Sequence, residues 1–231
     1  MNPDLAETED PIGVACFIDN NCLEMAVTGS GPLAPGSDAP RYGDEVQKAM
    51  YNGWKSIHGS KDQTVDGATG HTWDLFGPLP VRQNDLYLLR QSKMLERWKD
   101  SIEKIERPMD FPKLKIFGDS AYKTREHLFT YFNRQRANEL ASVLNHGLKA
   151  VRITIEWNYG RTVQLFKSLL KKDKLKAMAG GDPNALKMYV VATLFRNFHA
   201  WLYGCETSNY FNISFSNPEE LLRKYIMKED F

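Results

Sequence analysis

The chain has 231 residues, 42% of them hydrophobic and 26% charged, which is enough for one large domain with a substantial core. Its 30 basic and 29 acidic side chains leave a net charge of +1, which excludes a global field that would draw in a polyanion, so any nucleic-acid surface must come from local clustering. Cys16, Cys22 and Cys205 are odd in number and lack Cys-x-x-Cys spacing, no run reaches the ~18–20 apolar residues of a membrane span, and the acidic start "MNPDLAETEDP" has no signal-peptide pattern; the expectation is a soluble protein of a reducing compartment, cytosolic or nuclear, with no membrane partner.

After residues 1–11, read as an acidic leader, "IGVACFID" (12–19) is a nearly continuous apolar run that predicts a strand covered on both faces and ending on Asp19. Residues 20–58, rich in Gly, Pro, Ser and Asn, predict an irregular excursion with a short helix near "DEVQKAM". Asp66-Gly67 is a turn signal between two β-prone segments and predicts a hairpin whose second strand closes at Pro78 and Pro80. From Asn84 to Ile105 the apolar residues recur at a helical period, with Asn84 or Asp85 placed to cap the start. "LKIFGDSAY" then predicts a strand that stops at Gly118 and Asp119. "REHLFTYFNRQRANELASVLNHG" predicts a helix interrupted at Gly147, and residues 148–170 a longer one with Val151, Ile155, Thr162, Phe166 and Leu169 on one stripe and Glu156 at its edge. A helix over Asn184–Tyr203 and a C-terminal helix within 216–231 complete an α/β chain built round a mixed sheet.

Asp19, Asp119 and Glu156 are the acids this order brings forward, two at strand ends and one on the following helix. Ligands in open α/β sheets bind beyond strand ends, and three carboxylates without His or Cys suit a hard cation such as Mg²⁺ or Mn²⁺. Two such ions can activate water and stabilise the leaving oxygen of a phosphodiester. Acids at strand ends are also ordinary in a chain with 29 of them, so the pattern alone leaves both readings open. Arg152 precedes Glu156 by one helical turn, where it would orient that carboxylate, touch a phosphate or make a plain surface ion pair.

"CFIDN", "GWKSIHGSKDQTVDG", "DLFGPLPVRQNDLYLLRQSKML", "IFGDSAY" and "VRITIEWNYG", in this order over residues 12–215, resemble the DDE-type transposases and endonucleases of the PIF/Harbinger group, particularly versions in fungal and oomycete genomes. The resemblance implies an RNase H-like fold, a mixed central β-sheet flanked by α-helices, over residues 12–215. It also implies a two-metal DNA endonuclease or transposase in which Asp19, Asp119 and Glu156 are both catalytic residues and ligands of two Mg²⁺ or Mn²⁺ ions. It further points to Asp85 as an accessory acid, against a plain helix cap, and to His58 and Lys61 as phosphate or scissile-strand contacts, against structural hydrogen bonding.

Many relatives of this kind carry a Lys seven residues after the Glu. Val163 stands there, leaving Arg161 or Lys167 as substitutes. Lys167, Lys171, Lys172, Lys174 and Lys176 form a local basic stretch that would neutralise phosphates or simply solvate a helix end. Such transposases place a helix-turn-helix region before the first acid, and 18 residues precede Asp19, so the expectation is a catalytic core acting on transposon ends or target DNA with a separate DNA-binding partner, in the nucleus, with self-association open. The rival expectation is a domesticated or truncated copy that binds DNA or protein without cutting, and a nuclease acting on RNA or hybrid duplexes is chemically open as well.

Overall fold

The computed structural model describes residues 12–25, 48–105, 113–132, 139–170 and 184–213. Strands β1 (Ile12–Glu24), β2 (Tyr51–Asn52), β3 (Ile57–Gly67), β4 (Thr72–Pro80), β5 (Lys113–Gly118) and β6 (Leu128–Phe129) form one six-stranded sheet. β3 pairs antiparallel with β1, β2 and β4, whereas β1, β5 and β6 run parallel in that order, so the sheet is mixed. The helices are α1 (Asp85–Ser92), α2 (Met94–Glu103), α3 (Glu139–Leu165), α4 (Asn184–Tyr203) and α5 (Glu206–Tyr210), with a 3₁₀ turn over Lys167–Leu170. No described helix is long and apolar enough to cross a membrane.

Alternation along the strands sends successive side chains to opposite faces, and each face is covered by helices. Cys16, Ile18, Val65 and Ile116 pack with Leu89, Met94, Trp98 and Ile102 of α1 and α2. On the opposite face Phe17 and Phe117 meet Ile155 of α3, and Leu23 meets Tyr189 and Ala192 of α4. The α1 start is fixed by Asn84, whose side-chain oxygen accepts from the Tyr87 backbone N–H at 2.7 Å. The single helix expected over 84–105 is two, because Lys93 adopts a left-handed conformation, φ 50°, that ends α1 and begins α2.

Several expectations are corrected. β1 does not stop at Asp19: Asn20–Glu24 continue the ladder against Gly59–Gln63, so Asp19 lies within the strand and the irregular stretch cannot begin at 20. It cannot run to 58 either, since β2 and the start of β3 lie within it. The hairpin is present, but its turn lies beyond Asp66-Gly67: Gly67 N–H donates to His71 O, and Gly70 at φ 79° completes the reversal. Residues 125–132 are not helical, because Ile116 and Phe117 take Leu128 and Phe129 as parallel partners. Gly147 does not interrupt α3, which runs unbroken from Glu139 to Leu165. The acidic leader, Lys171, Lys172, Lys174, Lys176 and the C-terminal helix of 216–231 lie outside the described residues.

A buried polar cluster holds α3 and α4 on the sheet. Asp66 accepts from Thr64 at 2.7 Å, Thr72 at 2.5 Å and Asn158 of α3 at 3.2 Å, and Arg196 of α4 lies 3.6 Å away with its guanidinium also on Gly70 O and Thr72. Thr64 spends its proton on Asp66 and so accepts from the Tyr159 hydroxyl, 2.8 Å away. Thr64 is the ladder partner of Asp19, which means that Tyr159 pins α3 to the sheet directly beside that acid.

Candidate active site

Three acids from three elements surround one guanidinium. Arg152 Nη2 donates to Asp19 Oδ2 at 3.3 Å and to Glu156 Oε1 at 3.5 Å, and Nη1 stands 3.9 Å from Asp119 Oδ1. Asp19 is delivered by β1 and Asp119 by the residue after β5. Arg152 and Glu156 share one face of α3, four residues apart. The parallel pairing of Ile18 with Gly118 places Asp19 and Asp119 side by side past that rung. Gly118 makes room for the turn that follows: a Cβ there would stand 2.9 Å from the Tyr122 ring and 3.0 Å from Ile18.

Local hydrogen bonds fix the two aspartates. The Asn20 N–H donates to Asp19 Oδ1 at 2.8 Å, and Asp119 Oδ1 accepts from the Ser120 N–H and, at 3.0 Å, from its hydroxyl. Side-chain exposure rises outward, from 15% at Asp19 through 32% at Asp119 to 59% at Glu156, so the group opens to solvent on the α3 side. Burial raises the Asp19 pKa above its ordinary value, Arg152 and the Asn20 N–H oppose that rise, and Asp119 adds to it. Burial also works against the Arg152 charge, but Asp19, Asp119, Tyr131 and Glu156 together outweigh it and hold the guanidinium pKa above normal.

The sequence named these four residues and missed Tyr131, which meets Arg152 beside the acids and packs edge-on against Phe117 with ring centroids 5.2 Å apart. It sits in the segment read as helix, so no periodic signal pointed to it. The other candidates lie elsewhere. His58 is at the start of β3, six residues and about 20 Å along the strand from the partner of Asp19, with its ring on Tyr51. Lys61 projects from the opposite sheet face and donates to Asp85 at 2.9 Å and to Gln83 O at 2.8 Å. Asp85 is therefore neither the α1 cap, which is Asn84, nor a member of the Arg152 group; it is the counter-ion of Lys61. Arg161 is turned about 140° round α3 from Glu156, and exposed Lys167 lies beyond the end of α3, in the 3₁₀ turn. Val163 packs with the cluster of Leu23, Tyr189 and Ala192, which is why no cation extends from that position.

The donor set fits a hard divalent cation, being all carboxylate oxygen and already organised round one positive charge. Among the described residues, no three His, Cys, Asp or Glu side chains stand close enough to hold an ion as they lie. Arg152 occupies the middle instead.

Residues 37–195 match the family model described as DDE superfamily endonuclease. No curated protein and no solved structure matches the chain.

Proposed function

The chain belongs to the DDE superfamily endonucleases, and from that premise we propose that it is the catalytic core of a metal-dependent DNA endonuclease or transposase of the PIF/Harbinger type, acting in the nucleus. One observation carries the reading: Asp19, Asp119 and Glu156, far apart in sequence, are gathered round Arg152 at the parallel side of the sheet. The strand arrangement, with antiparallel β4, β3 and β1 followed by parallel β5 and β6, supports an RNase H-like fold.

In this reading the three acids hold two divalent ions, Mg²⁺ or Mn²⁺. When bound, such ions supply an activated water and charge stabilisation at the leaving oxygen of a phosphodiester. The residues of the chain provide the rest. The Asn20 and Ser120 backbone N–H groups each hold one oxygen of the Asp19 and Asp119 carboxylates and so orient these two acids. Tyr159 and Asn158 anchor α3 to the sheet and set the separation between Glu156 and the two aspartates. Arg152, relieved of its acids, has a planar fork of donors suited to a DNA phosphate on the open side of the group. Strand transfer and dependence on a separate DNA-binding partner belong to the same proposal.

The place of Arg152 among the acids also favours a second reading, a transposase-derived module that binds DNA or protein without cutting, with the guanidinium as a permanent substitute for metal. Nicking of supercoiled plasmid with Mg²⁺ or Mn²⁺ decides between them. Cleavage by the wild type, lost in folded Asp19→Asn, Asp119→Asn and Glu156→Gln variants, supports the nuclease. A wild type that binds no Mn²⁺ and leaves the plasmid intact supports the binding module.

A further inference from the structure

A cleft of about 380 Å³ opens on the other side of the loop that follows Asp119, lined by Lys61, Arg82, Gln83, Asn84, Asp85 and Ala121 among others. Its floor is rigid: Lys61 is 7% exposed and held by Asp85 and the Gln83 carbonyl. That pair cancels its own charge. Arg82 is exposed and has no ion-pair partner among the described residues, so the cleft carries one uncompensated cation. The Gln83 side-chain amide and the Asn84 NH₂ have no hydrogen bond among the described residues, whereas the Asn84 oxygen is committed to capping α1. The lining thus combines one anion-binding fork with amide donors and an acceptor, the groups that recognise a phosphate and the edge of a base.

Size and position narrow the ligand. The volume is at the lower end of the roughly 300–1,000 Å³ of small-ligand sites, room for one nucleotide unit and not for a base pair. Ala121 is two residues past Asp119, within about 7.6 Å between Cα atoms, so although Lys61 faces away from the acids, one short loop has the acids at its start and the cleft two residues on. We propose that the cleft seats one unpaired nucleotide of the DNA strand adjoining the bond to be cut, with Arg82 on its phosphate and the Gln83 and Asn84 amides on its base edge. The identity of the polymer rests on the nuclease reading above; the seat itself rests on the cleft.

The test is the anisotropy of a labelled DNA hairpin with a two-nucleotide unpaired overhang against the same hairpin made blunt, in EDTA so that nothing turns over. The wild type is expected to favour the overhang at least fivefold. An Arg82→Ala/Gln83→Ala double variant, both side chains lying outside the buried core, is expected to keep the wild-type melting temperature, lose the preference and lower the slope of log affinity against log salt by about 1. Arg82→Lys should keep part of the preference. A double variant that still favours the overhang, or a wild type with no preference, overturns the seat. Plasmid nicking separates the two claims: an overhang preference that the double variant loses, in a wild type that never nicks, leaves the seat standing and removes the nuclease, whereas a wild type that nicks, with a double variant that keeps the preference, does the reverse.

Discussion

Arg152 and Asp19 are 133 residues apart in the chain, and the Arg152 guanidinium donates to the Asp19 carboxylate at 3.3 Å while also facing Asp119 and Glu156. One cation thus holds together three anions from three elements, which would otherwise repel across a partly buried gap. Arg152→Gln should therefore lower stability in EDTA by about 1–3 kcal/mol, the usual cost of stripping the partner from partly buried charges. Mn²⁺ should restore more stability to the variant than it adds to the wild type, because the ion then meets no competing guanidinium. Thermal unfolding in EDTA and in Mn²⁺ reads both quantities, and equal metal increments in the two proteins would exclude competition.

Asp85 and Lys61 give a second prediction. Lys61 is nearly buried and Asp85 is its counter-ion at 2.9 Å, so Asp85→Asn leaves a shielded ammonium with a neutral partner. The expected loss is about 1–3 kcal/mol, below that of a fully buried pair because Asp85 keeps some solvent contact. Mn²⁺ affinity should not change, since Asp85 is turned to Lys61 and not to the Arg152 group. Chemical unfolding with Mn²⁺ titration by electron paramagnetic resonance checks this; a tenfold loss of Mn²⁺ affinity would instead make Asp85 a ligand.

The parts legible in the sequence were those set by local pattern. The apolar run before Asp19, the hairpin, the Gly118 stop and the helix over Asn184–Tyr203 each leave a periodic or punctuating signal, and the motifs round Asp19, Asp119 and Glu156 named the acids. What escaped is fixed by partners distant in the chain. Asn20 and Asn21 look like a break, yet they remain in β1 because Gln63 and Asp62 offer the ladder. "HLFTYF" has the apolar content of a helix, but the open edge of β5 draws Leu128 and Phe129 into a short parallel pairing. Gly147 costs about 1 kcal/mol in a helix interior, which packing along a 27-residue helix absorbs. Asp66 has the local signature of a turn residue, and its partners Asn158 and Arg196 lie on helices that no local window contains.

That buried pair supplies the third prediction. Arg196 and Asp66 are each 2% exposed in their side chains, so Arg196→Met removes the cation and leaves Asp66 with its hydroxyl and amide donors alone. A loss of about 3–5 kcal/mol is expected at neutral pH. Burial already raises the Asp66 pKa, with Arg196 the largest opposing influence, and removing that cation raises it further. The variant then holds a proton in its folded state that its unfolded state releases, so the deficit should be smaller at pH 5 than at pH 8. Urea unfolding at the two values measures it, and a deficit independent of pH would mean that Arg196 acts through packing alone.

Asp62 offers the sharpest pH signature, because no ion pair compensates it among the described residues. Both carboxyl oxygens are buried without a hydrogen-bond partner there, and burial pushes its pKa from 3.8 up to about 7. The unfolded chain therefore loses this proton near 3.8 and the folded chain near 7. Between those values the native state binds the extra proton, so the contribution of Asp62 to stability declines as pH rises from about 4 to about 7 and is level above that. Asp62→Asn keeps the shape of the neutral acid and cannot ionise. It should raise stability at pH 8 by on the order of 1–3 kcal/mol, do little at pH 4.5, and flatten the difference between the two conditions. The wild-type-minus-variant comparison isolates Asp62 from Asp19 and Asp66, whose raised values contribute a slope of the same sign to both proteins. Parallel pH profiles for the two proteins would show that the carboxylate is ionised in the fold and has found a partner beside β3.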